Sequence, residues 1–61
     1  MSFRTARKKA GLTLRQVAEK LNVTDAAVAQ WESGATGPRT KLLPLIAEVY
    51  GVSVDELLKE D

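Results

Sequence analysis

The sequence predicts an all-α fold: a compact bundle of five short helices forming one domain over residues 1–61. Three observations predict it. No stretch alternates apolar and polar residues with a period of two, so strands find no support. Helix-start signals recur at Thr13 with Gln16 three residues on, at Thr24, and at Ser53 with Glu56 three residues on. Residues that tolerate a left-handed backbone follow each apolar stripe, at Gly11, Asn22, Gly34 and Gly51.

The first helix is expected from Ser2 to Ala10, with Phe3, Ala6, Arg7 and Ala10 on one face and Gly11 as its stop. The second runs Leu14–Leu21 behind a Thr13 cap. Gln16 completes a capping box, and Leu12 can close on Val17 as a hydrophobic staple. Val17, Ala18 and Leu21 face inward, and Ala18 is small enough to admit a crossing helix. Asn22 ends it. The third runs from Asp25 to Ser33 behind Thr24, with Val23 stapled to Val28, Val28 and Trp31 inward, and Gly34 as its end. The segment ATGPRT then reads as a loop. The fourth helix covers about Lys41 to Tyr50. Pro44 fits its first turn, where no backbone N–H has an intrahelical partner, so the helix begins no earlier than about Thr40. Leu42 or Leu43, Ile46, Val49 and Tyr50 make its apolar stripe. In the last helix Ser53 caps, Val52 can reach Leu57, Leu57 and Leu58 anchor to the core, and Lys59–Asp61 fray.

Composition narrows the function. There is no cysteine and no histidine. Disulfides and thiolate metal sites are excluded, and the commonest general base and metal ligand are missing. Asp55, Glu56, Glu60 and Asp61 lack the spacing of a calcium loop, so no metal is expected. Nothing points to an enzyme, a cofactor or a small-molecule ligand. No apolar run approaches the roughly 20 residues that span a bilayer, and the basic start lacks a signal's apolar segment. A soluble cytoplasmic protein is the expectation. Net charge is only +1, but it is polarised: residues 1–41 carry eight basic and three acidic residues, whereas residues 42–61 carry one basic and five acidic. The basic part coincides with the second and third helices, and a basic face attracts phosphate while the acidic end turns away.

Two abutting helices with so short a turn are a way of presenting the second to a DNA major groove. At this point the chain resembles the helix-turn-helix domains of phage repressors and Cro proteins, the xenobiotic-response-element (XRE) family. The matching pieces are GLT at Gly11–Thr13, VAEKL at Val17–Leu21, VT at Val23 and Thr24, WESG at Trp31–Gly34, Pro38, IAEVYGVS at Ile46–Ser53, and LL at Leu57 and Leu58. Their joint spacing, more than any one piece, carries the likeness.

The resemblance implies a lambda-repressor-like five-helix bundle that binds operator DNA, with the third helix as recognition helix. It places Thr24, Asp25, Ala26 and Gln30 against bases or adjoining phosphates. Thr13 and the start of the second helix, with Arg15 and Gln16, face phosphate, as does the loop from Thr36 through Arg39 and Thr40 to Lys41. It implies an internal salt bridge between Arg7 and Glu32. Leu14 stands where the family often has Gln, and so cannot make that residue's phosphate contact. The chemistry agrees in kind. Gln30 can bond adenine, Asp25 can accept from cytosine, and Ala26 can touch a thymine methyl. Asp25 also suits the helix dipole, and Ala26 is a good helix former.

The expected function is a sequence-specific double-stranded DNA-binding transcriptional regulator, repressing by occluding polymerase. Two copies would read half-sites about 34 Å apart, as a weak homodimer formed on DNA through the segment after Gly51. The rival expectation is a protein-interaction module of antitoxin type, favoured by Leu14 and the sparse third helix.

Overall fold

A computed structural model describes residues 1–59. The helices are α1 (Phe3–Lys9), α2 (Leu14–Leu21), α3 (Asp25–Ser33), α4 (Leu43–Tyr50) and α5 (Val54–Leu58), with a 3-10 turn at Thr40–Leu42 leading into α4. Among the described residues there is no strand, and no helix is long and apolar enough to cross a membrane. Lys59 is the C-cap of α5. Glu60 and Asp61, also expected to fray, lie outside the described residues.

Capping fixes the ends. Thr13 Oγ1 accepts from the Gln16 N–H at 3.1 Å, and Gln16 Oε1 accepts from the Thr13 N–H at 2.8 Å, a complete capping box. Thr24 Oγ1 accepts from the Ala27 N–H at 3.1 Å. Ser53 Oγ accepts from the Glu56 N–H at 3.0 Å, but the Glu56 carboxylate bonds the Ser53 hydroxyl (3.5 Å) and not its backbone. Asn22 takes the left-handed conformation, φ 57°, so its N–H can close on the Ala18 and Glu19 carbonyls and let the chain turn into α3 at once.

The turn sets α2 and α3 against each other, and α4 closes over α2. Ala6, Val17, Val28 and Ile46 have no exposed surface, so α1 to α4 all meet at the centre. Burying a Val or Ile side chain is worth about 1.5–3 kcal/mol. Trp31 is buried, its ring 6.5 Å from that of Phe3. Leu57 brings α5 to the core, and the Met1 amino group bonds the carbonyls of Glu56 (3.1 Å) and Lys59.

Four expectations change. Ala10 is exposed, because α1 ends at Lys9 and Ala10 is already its C-cap. The α-helix expected from Lys41 starts at Leu43, and the preceding turn is 3-10; Pro44 still lies in the first helical turn. Ala47 is buried beside Ile46, which the expected stripe omitted. Leu58 is 57% exposed. Neighbouring residues on a helix point roughly 100° apart, so a five-residue helix that buries Leu57 turns Leu58 outward.

Candidate nucleic-acid interface

The face of α3 turned from the core carries Asp25, Ala26, Ala29, Gln30 and Ser33, all exposed. Val28 and Trp31 hold the opposite face. At 3.6 residues per turn these five positions fall in an arc of about 140°. Ala29 and Ser33 were not singled out from the sequence, although the same periodicity that buried Val28 and Trp31 marks them.

Thr24 opens this face. Its Oγ1 accepts the capping hydrogen bond, which leaves the hydroxyl proton free to donate. Thr13 is in the same position at the start of α2. The Gln16 carbonyl is engaged by the Thr13 N–H, so its two amide protons remain free and exposed. Arg15 is exposed beside it and meets Glu19 at 3.6 Å, an i,i+4 surface pair worth only about 0.3–0.5 kcal/mol. Leu14 is half-buried against the core and offers no donor.

Beyond α3 the chain folds back. Gly34 is left-handed, φ 82°, and its N–H returns to the Gln30 carbonyl. Ser33 Oγ donates to the same carbonyl at 3.1 Å and accepts from the Ala35 N–H at 3.4 Å. Thr36 Oγ1 then reaches Gln30 Oε1 at 3.4 Å. Arg39 caps the 3-10 turn that holds Thr40 and Lys41, all three exposed. Arg39 and Lys41 border one groove with Asn22, Val23 and Trp31, so the loop's cations sit beside the α2–α3 turn. Among the described residues, Lys20, Arg39 and Lys41 form no ion pair.

Behind the face, Arg7 and Glu32 lock α1 to α3. Arg7 Nε lies 2.6 Å from Glu32 Oε2 and Nη2 lies 3.1 Å from Oε1, a two-point grip, while Nη1 donates to the Leu12 carbonyl at 2.9 Å. Arg4, which the sequence reading missed although it stands three residues before Arg7, adds Nε at 3.3 Å from Oε1. The Glu32 side chain is 2% exposed. Burial pushes its pKa up, but the hydrogen bonds and charges of Arg7 and Arg4 outweigh this and hold it below the ordinary carboxylate value. The hydrogen bond to Glu32 raises Arg7 against its own desolvation. The Tyr50 hydroxyl is buried, and no partner reaches it among the described residues. Its pKa is pushed up to about 12, first by burial and then by the charge of Glu32, partly offset by Arg7.

A short helix turned outward at the end of a two-helix unit marks the helix-turn-helix class of DNA-binding domains. Comparison with known proteins gives the same class. The family model described as Helix-turn-helix matches residues 3–57, and the chain belongs to that family. It is similar to the HTH-type transcriptional regulator ImmR of Bacillus subtilis (strain 168), 38% identical over 97% of this chain and 46% of that protein. It is also similar to the HTH-type transcriptional activator BcrR of Enterococcus faecalis, 43% identical over 77% of this chain and 23% of that protein. A third relative, the uncharacterized HTH-type transcriptional regulator YqaE of Bacillus subtilis (strain 168), is 36% identical over 95% of this chain and 50% of its own length. The chain thus spans half or less of the length of these relatives.

Proposed function

We propose that this chain binds double-stranded DNA sequence-specifically and regulates transcription, with α3 in the major groove. The observation that carries the proposal is the exposed face of α3, with Arg39 and Lys41, which form no ion pair among the described residues, beside the α2–α3 turn that opens it. Asp25, Ala26 and Gln30 would meet base edges. Gln30 can offer donors to purine or thymine acceptors, Ala26 suits a thymine methyl, and Asp25 can accept from a cytosine amino group. Thr13, Gln16 and Thr24 would give their free protons to phosphate oxygens. Arg15, Arg39, Thr40 and Lys41 would flank them along the backbone. Base contacts then specify and phosphate contacts position.

The molecule measures 24 × 23 × 19 Å. Half-sites on one face of the duplex lie about 34 Å apart, so two copies on successive turns meet at most through edge side chains. The proposed homodimer is weak and forms only on DNA. An operator overlapping a promoter would give repression by occluding polymerase. Selection from a random duplex pool, followed by titration of the selected site at two salt concentrations, tests the proposal. A recovered sequence bound more tightly than random duplex, with affinity falling steeply in salt, supports it. Indifference to duplex even at low salt contradicts it, and would favour the reading of a protein-interaction module.

A further inference from the structure

Thr36 lies six residues beyond Gln30, yet its Oγ1 sits 3.4 Å from Gln30 Oε1. The return is built. The Gln30 backbone carbonyl takes both the Gly34 N–H and the Ser33 hydroxyl, and Ser33 Oγ in turn takes the Ala35 N–H. These bonds hold the 34–36 segment over the end of α3, with the Thr36 hydroxyl at the tip of the Gln30 side chain.

A hydroxyl has one proton. Thr36 gives it to a carboxamide oxygen, which can only accept, and a phosphate oxygen would need that same proton. Thr24 and Thr13 differ, since their hydroxyl oxygens act as acceptors in the caps and keep their protons. Among the threonines expected on phosphate, Thr36 is therefore committed elsewhere. That bond takes one lone pair of the Gln30 carbonyl and leaves its other lone pair and both N–H donors available. These are the groups that read a purine edge in the major groove.

We propose that Thr36 is a positioning residue for Gln30: its hydroxyl orients the carboxamide on the exposed face of α3 and thereby sets discrimination at one base pair. The proposal rests on the DNA-binding reading above. The test uses the full chain and its selected site. Gln30→Ala identifies the base pair whose preference Gln30 carries, and Thr36→Val and Thr36→Ser are compared on that site and on the site altered at that pair. A neutral hydrogen bond is worth about 0.5–1.5 kcal/mol, so Thr36→Val should lower discrimination there about 2- to 12-fold. Thr36→Ser should restore it. The slope of log Kd against log salt should stay that of the wild type, and Thr36→Val on top of Gln30→Ala should remove no further discrimination. A Thr36→Val variant that loses affinity for selected and random duplex alike, with a shallower salt slope, would make Thr36 a phosphate ligand and overturn the proposal. A DNA-free readout separates this failure from failure of the DNA reading. In the free protein the Gln30 side-chain amide should show a higher NMR order parameter in wild type and Thr36→Ser than in Thr36→Val. Equal mobility in all three overturns the positioning role whatever the chain binds.

Discussion

Glu32 ties α3 to α1. Its carboxylate is almost fully buried and is gripped at two points by Arg7 and at a third by Arg4. Losing one partner of a buried pair strands the other charge at about 3–5 kcal/mol. Native domains hold only roughly 0.05–0.15 kcal/mol per residue, so Arg7→Ala, even with Arg4 left on Glu32, should remove a large share of this short chain's stability and clearly lower its urea midpoint at about 25 °C. The pH dependence follows from the lowered Glu32 pKa. Its stabilisation is present above the unfolded carboxylate value of about 4.3 and is lost as pH falls through the lower folded value. Acid titration of unfolding free energy should show that loss, and Glu32→Gln should flatten it. Tyr50 has the opposite sign. Its folded pKa, about 12, lies above the ordinary 10.0, so its contribution holds below pH 10 and fades as pH rises through the folded value. Tyr50→Phe should remove that alkaline limb. It should cost nothing near neutrality or stabilise by up to about 1 kcal/mol, because the buried hydroxyl, which has no partner among the described residues, is itself unfavourable.

At the scale of elements, α3 is held by its ends and by its neighbours. Nine residues are too few for a stable isolated helix. Thr24→Ala removes the cap and should cost about 0.5–2 kcal/mol. Gly34→Ala should cost about 1–2 kcal/mol, entirely from backbone strain, since φ is 82° and nothing lies within 4 Å of an added Cβ. Gly34→Asn should cost less, and thermal melting ranks the three. The bounds of α2 and α3 were legible because caps and stops are written in side chains that bond their own backbone. The start of α4 was less so: Pro44 says only that it lies in a first turn, and a 3-10 turn obeys the same sequence rules. The fold-back that brings Thr36 to Gln30 was not legible. It depends on where the chain goes after Gly34, and ATGPRT carries turn residues without fixing their path.

Across the whole molecule, charge and shape support one function. The first 41 residues hold eight of the nine basic side chains, and they include both helices of the two-helix unit and the loop beside it. Each phosphate neutralised should steepen the fall of log K with log salt by about 0.9. Arg39→Ala and Lys41→Ala should therefore each reduce that slope by about one while leaving the preferred sequence intact, which fluorescence-anisotropy titrations can check. Sedimentation of the DNA-free chain at micromolar concentration should show a monomer, since the proposed dimer contact is small. The most direct test of the exposed α3 face as the reading surface is an amide and side-chain chemical-shift map recorded while the selected duplex is titrated in. The largest changes should fall along Thr24–Ser33, with smaller ones at Thr13–Gln16 and Arg39–Lys41. Changes centred on α4 and α5, with α3 silent, would contradict it.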